Sequence, residues 1–343
     1  MRTISDIAPM RRAYLTEGSK ALGEVYKSLG IEVVYVPSIM SVMPHIGNGD
    51  PHVPHATRDI GFFHGNKFYG HFLPVLSHSG RYANWSKGSE NALHGERDSG
   101  LECALHKAGD GGGIISDGKI AIVTNAYDMH PFGENKKQRL EEELGLEVFE
   151  VNTAGVHIDV FLNFVAEGIV ICNNKYLIDL FQPSISIESL QAFKDSMTRD
   201  GYEKGLQTYN RQKAAYDAVI NGFEQFIAML SAKGYTIFNI DREYIGIHAP
   251  SDDFTAKQSR SYGYLSWQTH LSILGNIVPV KEGVIVMAKD IPKEVAERKD
   301  WKHIPTELRK MGIEVHEVST KMNCQQHGED TGPRCRTLPE RVR

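Results

Sequence analysis

The chain has little cysteine: four residues, Cys103, Cys172, Cys324 and Cys335, in 343. A disulfide framework is therefore excluded, and reduced thiols in a cytoplasmic setting are the expectation. No apolar run approaches the roughly 18 residues that a membrane-spanning helix requires. The N-terminal stretch MRTISDIAPMRR is charged and has no apolar core, so it does not read as a secretory signal. Strong charge of one sign is also missing. Lys and Arg total 38 against 43 Asp and Glu, a formal charge of -5 that offers no basic stripe for nucleic acid. Low-complexity tracts are lacking, and no charge block marks a linker. Hydrophobic residues make up 41%, enough for a sizeable core and too many for a disordered chain.

What the sequence does contain is a recurring hairpin with a Gly turn. Thr57–Phe63 turns at Gly65-Asn66 and returns through Phe68-Tyr69-Gly70. Gly113-Ile114-Ile115 turns at Asp117-Gly118 into Ile120–Val123, and Asp-Gly between apolar runs is a strong hairpin signal. Ile158–Val165 turns at Glu167-Gly168, and Ile273–Val280 turns at Glu282-Gly283. The turn glycines 65, 118, 168 and 283 leave two gaps of about fifty residues and one about twice that. A charged helical stretch, a Gly and a short β-branched strand occur together three times: Ser19–Leu29 before Ile31–Val36, Asn135–Leu144 before Glu147–Val151, and Lys293–Met311 before Ile313–Val318. The repeat reads as hairpin, helix, strand. The long gap holds a segment of helical composition, about 187–232, which reads as a helical insertion in one 343-residue domain. A plain stack of βαβ units fits less well, because hairpins interrupt the alternation.

Three short segments carry the candidate chemistry. Asp110-Gly111-Gly112-Gly113 leads into the second hairpin, His157-Ile158-Asp159 opens the third, and Gly332-Pro333-Arg334-Cys335-Arg336-Thr337 follows the last predicted strand. On a strand, positions i and i+2 share a face, so His157 and Asp159 are expected to point into one space. Cysteine, histidine and an acid are the minimum for thiol nucleophilic catalysis. Taken alone, a cysteine in an α/β chain is more often a small buried hydrophobe. Metal readings are weaker. The histidines at 45, 52, 55, 64 and 71 follow no ligand pattern, and Cys324-x-x-His327 lacks a second pair, so no metal and no cofactor are expected. Gly109–Gly113 lacks the Lys-Ser/Thr of a phosphate loop and leads into a strand.

Thr-Arg-Asp, acid-Gly-Gly, His-x-Asp and Gly-Pro-Arg-Cys, in that order, resemble the guanidino-group-modifying enzymes: arginine and agmatine deiminases, dimethylarginine hydrolases and amidinotransferases. The resemblance implies a five-bladed α/β propeller of ββαβ modules, the pentein fold. It implies that Cys335 is the nucleophile attacking a guanidinium carbon, that His157 is the general acid/base, and that Asp110 orients His157 or grips substrate. Asp59 and Asp159 match the carboxylates that clamp the guanidinium, with Arg58 and Asp330 placed among the substrate-binding positions. A planar cation with five donors suits two carboxylates in a fork. Two departures stand out. Asp-Gly-Gly-Gly replaces the Glu-Gly-Gly-Asp or Glu-Gly-Gly-Asn of many relatives. Asp330 stands where free-arginine deiminases carry an Arg for the substrate carboxylate, which argues against free L-arginine and leaves room for a cationic or hydroxylated tail. Hydrolysis is the favoured outcome, on Gly-Pro-Arg-Cys. Amidino transfer to an amine is the alternative, on His157-Ile158-Asp159 with Asn163, Gly168-Ile169-Val170 and Asn173. A non-catalytic binding module on the same fold is the third reading. The expected partners are a small guanidino compound, an amine acceptor in the transfer reading, and a sister subunit if the helical segment presents an interface.

Overall fold

The computed structural model describes residues 1–16, 19–36, 58, 61–70, 102–105, 111–124, 136–152, 157–173, 183, 186–240, 276–289, 303–319 and 332–343. The candidates Asp59, Asp110 and Asp330 lie outside these, as do Cys324, His327 and the histidines at 45, 52, 55 and 71.

Among the described residues fifteen strands form five three-stranded sheets. In chain order, β1 (Met10–Thr16), α1 (Lys20–Ser28) and β2 (Glu32–Val36) come first. Next are β3 (Gly61–His64), β4 (Lys67–Gly70) and β5 (Glu102–Leu105). Then follow β6 (Ile114–Ser116), β7 (Ile120–Thr124), α2 (Lys136–Leu144) and β8 (Glu147–Val151). The fourth group is β9 (Leu162–Ala166), β10 (Ile169–Cys172), α3 (Ile187–Ala192), α4 (Arg199–Ala232) and β11 (Thr236–Asn239). The fifth is β12 (Val278–Lys281), β13 (Val284–Ala288), α5 (Ile304–Lys310) and β14 (Glu314–Val318), after which β15 (Leu338–Arg341) closes the chain.

Each sheet follows one rule: an antiparallel pair, then a third strand parallel to the middle one. In the third sheet Ile115 of β6 faces Ile122 of β7, and Ile122 faces Phe149 of β8. The four hairpin turns expected from the glycines at 65, 118, 168 and 283 are present, each glycine with positive φ. At Gly118 (φ 89°) the left-handed backbone is one that side chains rarely adopt. The three helix–Gly–strand units appear at α1–β2, α2–β8 and α5–β14, although the described part of the last helix starts at Ile304. A fourth unit went unread in the sequence. Helix α4 ends at Ala232, Gly234 (φ 92°) turns the chain, and β11 runs parallel to β10. The 187–232 helices therefore join β10 to β11, the place that α2 and α5 hold in the third and fifth sheets.

Neither β1 nor β15 was legible as a strand. The first sheet has the order β15-β1-β2 and joins the two ends of the chain: Tyr14 of β1 pairs with Leu338 antiparallel and with Val34 parallel. Pro339 interrupts the strand signal in Leu-Pro-Glu-Arg, but β15 is an edge strand, where a missing N–H is tolerated. Pro279 sits likewise on the edge strand β12.

In the first, third, fourth and fifth sheets burial falls from the first strand to the third. All of β6, β9 and β15 is buried, whereas β8 and β14 each have only two buried positions among five. First strands also meet across groups: β6 and β12 contact β9, β3 contacts β15, and the Arg341 guanidinium of β15 donates to the Pro279 carbonyl of β12. Segments just ahead of the first strands are thus delivered to the interior. The C-terminal half of α4 presses on one of them, with Phe223 edge-on to Phe161 at 5.2 Å between centroids.

Candidate active site

The nucleophile candidate sits on a fastened turn. In Gly332-Pro333-Arg334-Cys335-Arg336-Thr337, the Thr337 amide donates to the Arg334 carbonyl at 3.0 Å, and the Thr337 hydroxyl donates to the Pro333 carbonyl at 2.8 Å. The Tyr26 hydroxyl of α1 meets Thr337 Oγ1 at 2.8 Å. The Arg58 amide donates to the Cys335 carbonyl at 3.0 Å. Cys335 itself is partly exposed on this turn.

Asn276, just ahead of β12, does most to define the sulfur's surroundings. Its Oδ1 accepts the backbone N–H of Arg334 (2.7 Å) and of Cys335 (3.1 Å). Its Nδ2 donates to Cys335 Sγ at 3.1 Å and reaches the Asp159 carbonyl at 3.5 Å. Gly332 makes room for this: a Cβ there would lie 2.4 Å from Asn276 Oδ1.

His157 and Asp159 are not on a strand. Ile158–Val160 form a 3-10 turn, and β9 begins only at Leu162. The alternation argument that put both side chains on one face therefore does not apply. Ile-Asp-Val-Phe-Leu has strand composition, but the buried Asp159 is gripped in a tighter turn, with Phe161 N–H donating to the Ile158 carbonyl (3.2 Å) and Asn163 Nδ2 to the Asp159 carbonyl (3.0 Å). His157 is half-exposed and its ring lies on the Gly112 backbone. A Cβ at Gly112 would fall 2.3 Å from His157 Nδ1. One at Gly111 would fall 2.3 Å from the Gly61 carbonyl oxygen and 2.4 Å from that of Arg58. The two glycines after Asp110 are thus places of backbone close approach.

Beneath the cysteine turn lies a buried charge cluster. Arg334 donates from Nη2 to Asp6 Oδ2 (2.9 Å) and from Nε to Asp159 Oδ2 (3.2 Å), all three groups being almost wholly buried. The Ser116 amide donates to Asp6 Oδ2 at 3.0 Å. Arg58 comes within 3.9 Å of Asp6 Oδ1 and donates to the Ile114 carbonyl at 3.1 Å. Burial alone would raise the Asp6 carboxyl, but the charges of Arg334, Arg58 and Arg341 outweigh it and hold Asp6 below the usual carboxylate range. Burial likewise works against the Arg334 charge, and Asp6 and Asp159 more than restore it.

The structure therefore brings Cys335 and the Asp159 turn together through Asn276, and sets His157, two residues before Asp159, against Gly112. It points the Arg58 side chain into the buried cluster and gives its backbone to the cysteine turn. Asn276 and Asp6 went unnoticed in the sequence: each is a lone polar residue in a loop, with no periodicity to mark it. Among the described residues no group of three His, Cys, Asp or Glu is placed to hold a metal, and no helix is long and apolar enough to cross a membrane.

Neither a protein-family model nor a curated protein matches the chain. Solved structures do. The chain is similar to SxtG, an amidinotransferase from Microseira wollei in the saxitoxin biosynthetic pathway, at 11% identity, covering 100% of this chain and 97% of that one with a TM-score of 0.52. It is also similar to the C. jejuni agmatine deiminase, at 11% identity, covering 100% and 96% with a TM-score of 0.50. At this identity the likeness establishes the fold: an α/β chain of mixed sheets, shared over its whole length with these two enzymes.

Proposed function

We propose that this chain is a cysteine-dependent enzyme acting on a guanidino compound. The observation that carries the reading is the Cys335 sulfur, held by the Asn276 amide, which also reaches the turn of Asp159. The fold that amidinotransferase and deiminase structures share supports it. In this reading the five sheets close into a five-bladed propeller. The 343 residues are one catalytic domain, and the 187–232 helices enlarge its fourth blade.

The Cys335 thiolate attacks the guanidinium carbon, forming an S–C bond while one C=N electron pair moves onto nitrogen. His157 delivers a proton to the departing amine, and the C–N bond breaks. Neutral His157 then takes a proton from water as the oxygen adds to the amidino carbon, and the C–S bond breaks to return the thiolate. Asp59 and Asp159 clamp the guanidinium, Asp110 orients His157 or grips substrate, and Asp330 faces the tail. The substrate is already a planar cation, so no Lewis acid is required. The setting is cytoplasmic and the substrate a small molecule.

Hydrolysis is the primary reading. Amidino transfer is the second, favoured by the His157-Ile158-Asp159 run with Asn163, whose side chain here supports the Asp159 turn. Ammonia release from a guanidine panel, with and without added amines, tests both. Release without amines supports hydrolysis, and product formed only with an amine supports transfer. No reaction with any guanidine removes the proposal.

A further inference from the structure

We propose that Asn276 is a catalytic residue that holds Cys335 as a thiolate and aims it. The catalytic meaning of this rests on the guanidino reading, but the chemistry can be tested without substrate. A single carboxamide does two jobs here. Its oxygen accepts the amides of Arg334 and Cys335 at 2.7 and 3.1 Å, which fixes the backbone on both sides of the nucleophile. With the oxygen so committed, the NH₂ end faces the sulfur at 3.1 Å and the Asp159 carbonyl at 3.5 Å. The orientation is determined by the partners: two backbone donors demand the oxygen on one side, so donors must face Sγ on the other.

An N–H donor binds a thiolate more strongly than a thiol, so this contact favours the charged, nucleophilic form. The surroundings agree. The Asn276 side chain is almost wholly buried, so its dipole is worth more than in water. Gly332 leaves the space that the carboxamide occupies. The thiol proton is then lost to solvent before substrate arrives, and His157 is free to begin the cycle protonated, as the acid that the leaving amine needs. Asn276 also joins the nucleophile turn to the Asp159 turn through the Asp159 backbone carbonyl, so one side chain ties the two turns together.

The test is the pH dependence of alkylation of Cys335 by iodoacetamide, followed on the Cys335 peptide by mass. Asn276→Asp keeps an acceptor for the two backbone amides and replaces the donor with an oxygen. It should raise the midpoint by at least about one pH unit, a tenfold loss of thiolate at a given pH below it. An unchanged midpoint overturns the proposal. Should that variant fail to fold, the His157→Ala protein decides. With histidine gone, Asn276 should still hold the midpoint below the ~8.5 of a free thiol, and a midpoint at or above that overturns the proposal. If the midpoint moves as expected while no guanidine is turned over, the thiolate assignment stands and the guanidino reading fails. If guanidines are turned over at Cys335 with an unmoved midpoint, the reverse holds.

Discussion

Gly112→Ala is a one-methyl perturbation of the proposed acid/base. The added carbon would lie 2.3 Å from His157 Nδ1 and 2.9 Å from both Cε1 and Cγ. Ordinary non-bonded contacts are about 3.5–4.0 Å, so the imidazole must retreat by about 1 Å or more. Gly112 does not have positive φ, so its backbone accepts alanine and the contact is the whole effect. His157 is half-exposed, which gives the ring a way out towards solvent at small cost in stability. A displacement of about 1 Å at a reacting group costs on the order of a hundredfold in rate, or about 2.7 kcal/mol. Ammonia release should fall by about that factor, in kcat more than in KM, with the melting temperature within a few degrees of wild type and Cys335 still alkylated. Gly222→Ala is the control. That glycine sits in α4 with nothing within 4 Å of its added carbon, and alanine there should gain about 0.5–1 kcal/mol with unchanged turnover. A folded Gly112→Ala protein with kcat within about tenfold of wild type would refute the role given to His157.

Cys335→Ala should abolish turnover while leaving the protein folded and able to bind its guanidine, measured by calorimetry; activity near wild type removes the nucleophile. Asp59→Asn and Asp159→Asn should each lower kcat/KM by at least about a hundredfold. Asp159→Asn should also lower the melting temperature, since it takes a charged partner from Arg334. Asp6→Asn should cost about 3 kcal/mol in urea unfolding, because it takes from Arg334 and Arg58 a buried counter-charge. The folded Asp6 carboxyl lies below its unfolded value of about 3.9, so its contribution is complete above that pH and is lost as pH falls through the folded value. The variant should therefore lose part of the wild type's acid sensitivity below about pH 4. EDTA should leave turnover unchanged; loss that zinc restores would instead support the Cys324 or histidine metal readings.

The repeat was legible because it is written in local signals. Glycines at 65, 118, 168 and 283 mark tight turns between apolar runs, and Gly30, Gly145 and Gly312 mark helix ends before β-branched strands. The fourth such unit was hidden because α4, at 34 residues, looked like an insertion rather than the same crossover made longer. Strand β15 was hidden by Pro339, which an edge position tolerates, and β1 because its antiparallel partner lies at the other end of the chain. Cys335, His157 and Asp159 were singled out by motif order, but the local geometry of the last two did not follow from it. Period-2 composition suggested a strand, while the burial of Asp159 against Arg334 goes with a turn. Asn276, Asp6 and the downward-facing Arg58 became visible only when distant loops were brought together, since nothing local in the sequence distinguishes a clamp from a turn residue.

The central claim is that Cys335 takes up the substrate's amidino carbon. Its most direct test is the intact mass of the protein, quenched in acid after brief exposure to a guanidine that it turns over. The account predicts a covalent amidino adduct on the Cys335 peptide that accumulates during turnover, disappears as substrate is exhausted, and is absent from Cys335→Ala. Turnover of a guanidine with no adduct on Cys335, or with the adduct on another residue, would contradict it.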